Sequence, residues 1–168
     1  MVEKEQIYSS NIKKDGLFSL KELYLFCHSW LIEETELDPL IETKYKEKIK
    51  PDSKEVEIKW KGLKKVTDYF KYEIKVEFES RNLKEVEVQK GTTKVKMNKG
   101  DIKIICKGTL MRDYDGKFEK DAFRKFLRGI YEKWIIAGRI EMFEERLAIK
   151  CDEFLEQTKA FLALEGRK

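Results

Sequence analysis

Proline is nearly missing from this chain: two in 168 residues, Pro39 and Pro51. Nothing beyond Pro51 therefore carries the residue that most abruptly stops a helix or strand. Histidine occurs once, at His28. A single imidazole, with no Ser–His–Asp or zinc-hydrolase spacing around it, gives no route to the common hydrolytic constellations. The three cysteines (Cys27, Cys106 and Cys151) stand far apart and form no CxxC pair. Their odd number and spacing exclude a disulfide framework or a structural zinc site, and their apolar neighbours predict buried thiols. No uncharged apolar run approaches the length of a membrane span, and "MVEKEQIYSS" contains no apolar signal core. A soluble protein in a reducing cytoplasm is the expectation. Charge of one sign is lacking too: 36 basic residues against 32 acidic leave only +4.

Present instead are 41% hydrophobic and 40% charged residues, the latter well above the ordinary quarter. The length suits one domain with a real core. Interleaved Lys and Glu with little Asn or Gln fits a solvated surface and a warm-growing source better than a nucleic-acid polycation.

Hydrophobic periodicity divides the chain. "FSLKEL" contains a capping box, Ser19 and Glu22, with Phe18 and Leu23 at staple positions. It opens a helix whose stripe is Leu20, Leu23, Cys27, Trp30 and Leu31, ending before "ELDPL". A short strand is expected before it, around "QIYSSNI". The period then falls to two. "IETKYKEKI" sets Ile41, Thr43, Tyr45 and Ile49 on one side; "EVEIKW" points Val56, Ile58 and Trp60 one way. "FKYEIKVEF" alternates Phe70, Tyr72, Ile74, Val76 and Phe78 with Lys and Glu. "EVEV", "KVKM" and "DIKIICKGTL" supply further strands. One packed and one solvated face is the habit of antiparallel sheets. The fold class is thus α+β: an antiparallel sheet of five to six strands, an N-terminal helix and a long C-terminal helix.

From Phe123 to Leu162 runs a segment with no proline and no evident turn. As one helix it would extend roughly 60 Å, whereas a globule of this size should be about 40 Å across. Phe123, Phe126, Leu127, Ile130 and Trp134 form one stripe; Ile140, Phe143, Leu147, Cys151, Phe154 and Phe161 continue it. The expected division is a sheet domain over 1–138, whose helical part covers the sheet, and a helical element over 139–168. That element either extends to another chain or, with a break near Gly138, folds back. Extension is the favoured expectation. The first half is basic (Lys120, Arg124, Lys125, Arg128) and the second acidic, so two antiparallel copies would pair opposite charges along an apolar seam. A homodimer or another protein partner is the resulting expectation.

The order of strand, helix, strands and long helix resembles the helix-grip arrangement of START-like domains, in which a curved antiparallel sheet wraps a C-terminal helix. That resemblance implies a cavity for a hydrophobic small molecule, lined by Tyr45, Trp60, Phe70, Tyr72, Phe126, Tyr131 and Trp134. "LFSLKELYLFCHSWL", "LKEVEVQKGTTKVKMNKGDIKI" and "FRKFLRGIYEKWIIAGRIEMFEERL" are similar to segments of small archaeal proteins of unknown function, which implies no activity.

Motifs for chemistry are few. Cys27 and His28 are helical neighbours whose side chains diverge by about 100°. Asp113, Asp115 and Gly116 fall in a turn; an EF-hand loop would need acids where Met111 and Ala122 stand. "KGTTK" and "MNKGD" match no phosphate-binding loop and read as hairpin turns. No catalytic residue, metal site or cofactor is expected. A non-enzymatic binding or assembly protein acting through its long C-terminal helix is the leading reading. A ligand-binding domain is the alternative, and nucleic-acid binding through the basic patch a second one. Neither nucleic acid nor a membrane surface is an expected partner, because the apolar residues of the basic helix are needed to cover the sheet.

Overall fold

The computed structural model describes residues 3–116 and 121–165. Strand β1 (Glu3–Phe18) leads into helix α1 (Leu20–Thr35). Four strands follow: β2 (Leu40–Ile49), β3 (Lys54–Lys65), β4 (Phe70–Lys90) and β5 (Thr93–Arg112). Helix α2 (Ala122–Ile130), a π-helical turn (Tyr131–Ile135) and helix α3 (Ala137–Glu165) complete the chain. The five strands form one antiparallel sheet in the order β1-β5-β4-β3-β2. The α+β architecture expected from periodicity is present, with a first strand far longer than "QIYSSNI".

The alternation of β3, β4 and β5 aligns across the ladder. Trp60 faces Val76, Val76 faces Cys106, and Tyr72 faces Leu110, so one face is continuously apolar. Helices α1 and α3 cover that face. The capping box acts as expected at its first half: Ser19 Oγ accepts from the Glu22 amide at 3.3 Å, while Phe18 and Leu23 are buried. Helix α1 stops at Glu36, which adopts the left-handed conformation at φ 55°. Between Glu79 and Lys84 the β4–β5 register slips, and the Asn82 carbonyl tucks against β5. A Cβ at Gly100 (φ +157°) would lie 2.1 Å from that oxygen, so only glycine suits this bend.

Two expectations need correction. Strand β2 does not keep strict alternation, because a bulge between Glu42 and Lys44 shifts its register. Glu42 and Tyr45 consequently lie opposite the inward residues Trp60 and Ile58, whereas Ile41 lies opposite Lys61 on the solvated face. The second correction concerns the long segment, which is neither one helix nor an extension. The Ile136 amide bonds to Tyr131 O at 3.0 Å in π fashion, and Ile136 leaves helical geometry at φ −116°, ψ 10°. The chain turns there, just before Gly138, and α3 folds back onto the sheet. Phe143, Leu147, Cys151 and Phe154 are buried in the chain's own core. The expected roles are reversed: α3 covers the sheet, and no residue of α2 is buried.

Close packing explains why α3 takes that place. Gly108 in β5 lets the helix approach, since a Cβ there would meet Cys151 Sγ at 2.9 Å and Leu147 Cγ at 3.2 Å. Tyr72 Oη donates to Phe143 O at 2.8 Å, Tyr8 Oη to Asp152 Oδ1 at 3.2 Å, and Lys14 Nζ to Leu162 O at 2.6 Å. Against α1, Phe161 stacks on Phe26 with centroids 4.6 Å apart, and Phe154 lies 5.7 Å from Trp30.

Candidate docking surface

Helix α2 begins at Asp121, whose carboxylate accepts from the Arg124 amide at 2.8 Å. At about 100° per residue, Phe123, Phe126, Leu127, Ile130 and Trp134 fall on one side of the helical segment. Arg128 and Glu132 fall on the other. The polar side is the one held against the body. Arg128 Nη1 lies 3.7 Å from the buried Asp113 carboxylate. Glu132 Oε2 accepts from Arg112 Nη1 at 3.4 Å, and its Oε1 accepts from Tyr69 Oη. Tyr131 packs edge-on against Tyr69 with centroids 5.5 Å apart. Burial first, then the bond to Glu132, pushes the Tyr69 phenol well above its ordinary range, so it stays a donor. Arg112 Nη2 also donates to Glu5 Oε2 at 2.7 Å, tying β1 into the same group.

The apolar side consequently faces out: Phe123 is 67% exposed, Phe126 63% and Trp134 74%. Leu127 and Ile130 are partly exposed between them. With 150–250 Å² per aromatic side chain, the stripe offers on the order of 500 Å² of apolar surface, near the upper end for an isolated protein. Arg124 and Lys133 are exposed along its two edges, Lys125 is exposed on the far side of the helix, and Lys133 Nζ lies 5.2 Å over the Trp134 ring.

The residues expected to line one pocket are therefore dispersed. Trp60, Phe70 and Tyr72 are core residues, Tyr131 is half-buried, and Phe126 and Trp134 belong to the outward stripe. Beside Tyr72 and Leu147, where α1 and α3 meet the sheet, lies a small cleft of about 40 Å³. Ligand pockets run from about 300 to 1,000 Å³, so this cleft has room for roughly a water molecule. Tyr45, 53% exposed, instead lines an open groove of about 430 Å³ between α1 and the inward side of β2 and β3, with Leu20, Tyr24, Leu25 and Ile58. Tyr24 Oη donates to Glu42 Oε1 at 2.9 Å on its wall, and Tyr24 meets Trp60 edge-on at 4.9 Å.

Of the expected assembly seam, Phe143, Leu147, Cys151 and Phe154 are buried, while Ile140 and Phe161 are half-buried against the core. Of the basic patch, Arg124 and Lys125 are exposed, Arg128 is committed to Asp113, and Lys120 lies outside the described residues. All three thiols are free and buried, and burial pushes Cys27 up to about 12. Among the described residues, no group of three or more His, Cys, Asp or Glu is placed to hold a metal ion. No helix there is long and apolar enough to cross a membrane. Comparison with family models, curated proteins and solved structures returned no match.

Sequence reasoning missed the pins that orient α2. Their signal is present in the alternation of β5: Ile102, Ile104, Cys106, Gly108 and Leu110 face inward, and the next inward position is Arg112. A charged residue at an inward position asks for a partner, and Glu132 supplies it.

Proposed function

We propose that this is a non-enzymatic binding protein that docks through the outward apolar stripe of α2 and the following π turn. One observation carries the reading. The helix is attached by its polar side, through Arg128–Asp113 and Glu132–Arg112, so its apolar side is presented to the surroundings. A helix held only by chance would bury its aromatics first, since each is worth roughly 1.5–3 kcal/mol when covered. Covering about 500 Å² gains on the order of 12 kcal/mol before association costs of comparable size. Such a contact is reversible rather than permanent. The partner role first expected of α3 passes to α2, because the α3 stripe is occupied by its own sheet.

The test is photo-crosslinking in the producing cell, with p-benzoylphenylalanine at residue 126 or, as control, at residue 149. Ile149 is also exposed, but on α3. Crosslinks to another molecule from 126 and not from 149 support docking. Equal yields at both positions, or none, contradict it.

A second reading is small-molecule binding, favoured by the groove beside Tyr24, Leu25 and Tyr45. The groove lies between a helix and the sheet, where a helix-grip reading would put a ligand, although that ligand would sit beside α1 and not under α3. Native mass spectrometry should then find an apolar molecule retained, and stripping it should alter the emission of Trp60 through Tyr24. A bare mass with unchanged emission would end that reading.

A further inference from the structure

We infer that the occupant of the α2 stripe is an anionic lipid surface, on which the helix lies in the plane of the headgroups. This rests on the docking reading above and names its partner. The polar composition of the segment supports it. From Ala122 to Trp134 there is no Ser, Thr, Asn or Gln. A protein interface of this kind would normally carry a rim of directional hydrogen bonds, about one per 100–200 Å². Here Tyr131 and Glu132 are engaged with the body, and Arg128 is paired with Asp113. The exposed polar groups flanking the stripe are the cations Arg124 and Lys133, one on each edge, opposed on this segment by Asp121 beside Arg124. Long cationic side chains beside Phe and Trp suit an interface where rings enter the acyl boundary and ammonium groups remain at the headgroups.

Charge also argues against a second copy as occupant. The exposed charges flanking the stripe, Arg124 and Lys133, are both positive, so two copies packed face to face would set cationic rims against each other. The shape fits as well. Phe123 to Trp134 spans roughly 16 Å along a convex helix, long enough to lie on a surface and far too short to cross one. The reason for setting a membrane aside, that these residues cover the sheet, is removed by their exposure. The polar pins serve this role by holding the stripe outward in the free protein, so little ordering remains to be done on binding.

The experiment is co-sedimentation of the full chain with vesicles of phosphatidylserine and phosphatidylcholine, and with vesicles of phosphatidylcholine alone. Trp134 fluorescence is read in parallel, Trp60 being buried and Trp30 half-buried. The expected result is binding to the mixed vesicles with a blue shift, weakened by salt as screening requires. Phe126→Glu should lower the binding at least about tenfold, and Arg124→Glu with Lys133→Glu should lower it and flatten the salt dependence. Equal binding to neutral vesicles, or equal binding by Phe126→Glu, overturns the proposal. So does absence of binding. If the vesicles fail while residue 126 crosslinks to a protein in the cell, docking stands with a protein occupant and the lipid assignment falls. If both fail, the docking reading falls with it.

Discussion

Helices α2 and α3 are separated by a single π turn and share a vocabulary of Phe, Leu, Ile, Arg, Lys and Glu, yet they lie opposite ways round. Helix α3 puts Phe143, Leu147 and Phe154 against the sheet and its charges outward. Helix α2 puts Arg128 and Glu132 against the body and its aromatics outward. The difference lies in what each meets. Beneath α3 the sheet offers Cys106, Gly108 and Leu110; beside α2 it offers Tyr69, Arg112 and Asp113. An amphipathic helix buries the side that its neighbours can satisfy. Where those neighbours are charged groups already short of water, the polar side goes in.

Substitutions can strain or sharpen this contrast. Leu147→Ala removes a fully buried side chain beside Gly108 and should cost about 2–5 kcal/mol in urea unfolding. A cost below 1 kcal/mol would mean that α3 is not the cover of the sheet. Glu132→Ala removes the acceptor of the Tyr69 hydroxyl and one carboxylate partner of Arg112, which keeps Glu5, so about 1–3 kcal/mol should be lost. Hydrogen exchange would locate that loss in α2 if the helix is pinned as described; unchanged protection there would refute the pins.

High pH supplies a perturbation without mutation. Burial raises Cys27 from an ordinary 9.0 to about 12, and burial raises Tyr72 from 10.0 to about 12. The unfolded chain releases these protons at the ordinary values while the folded chain still holds them. The unfolded state then binds fewer protons, and stability must fall as pH rises above about 9. Both groups lie in the part of the molecule packed by α3 and the sheet, so that core should melt earlier as pH rises from 9 to 11. A melting temperature rising over that window would contradict their burial. Smallest of all is Gly129→Ala. Space around a Cβ at this position is open, so helix propensity alone should add about 0.5–1 kcal/mol to α2, visible as slower exchange of its amides. Faster exchange would place that backbone outside a helix.

How far the sequence reads through to the fold depends on the kind of signal. The capping box at Ser19 and the alternation of Phe70 to Phe78 were legible because local geometry alone imposes them. The bulge at Glu42–Lys44 was not, since one extra residue in an edge strand leaves no mark in composition. The turn at Tyr131–Ile136 was legible only as an alternative, a break near Gly138, because it needs neither proline nor glycine; a backbone shift of one residue suffices. Both stripes of the long segment were visible in the sequence. Which of them faced the core was not, because that depends on Arg112 and Asp113 arriving beside α2 from β5. Where the expected pocket aromatics lie depends on tertiary packing in the same way: Trp60 packs on Phe78 and Phe70 on Phe143, whereas Phe126 and Trp134 face outward.

A matched pair of charge insertions decides whether the two helices are truly opposite: thermal unfolding of Phe126→Glu and of Phe154→Glu in the full chain. Phe126→Glu should melt within about 0.5 kcal/mol of the parent, as an exposed surface change does, while Phe154→Glu should fail to fold cooperatively. If Phe126→Glu unfolds the protein as well, the α2 stripe is a core surface, and the docking face described here does not exist.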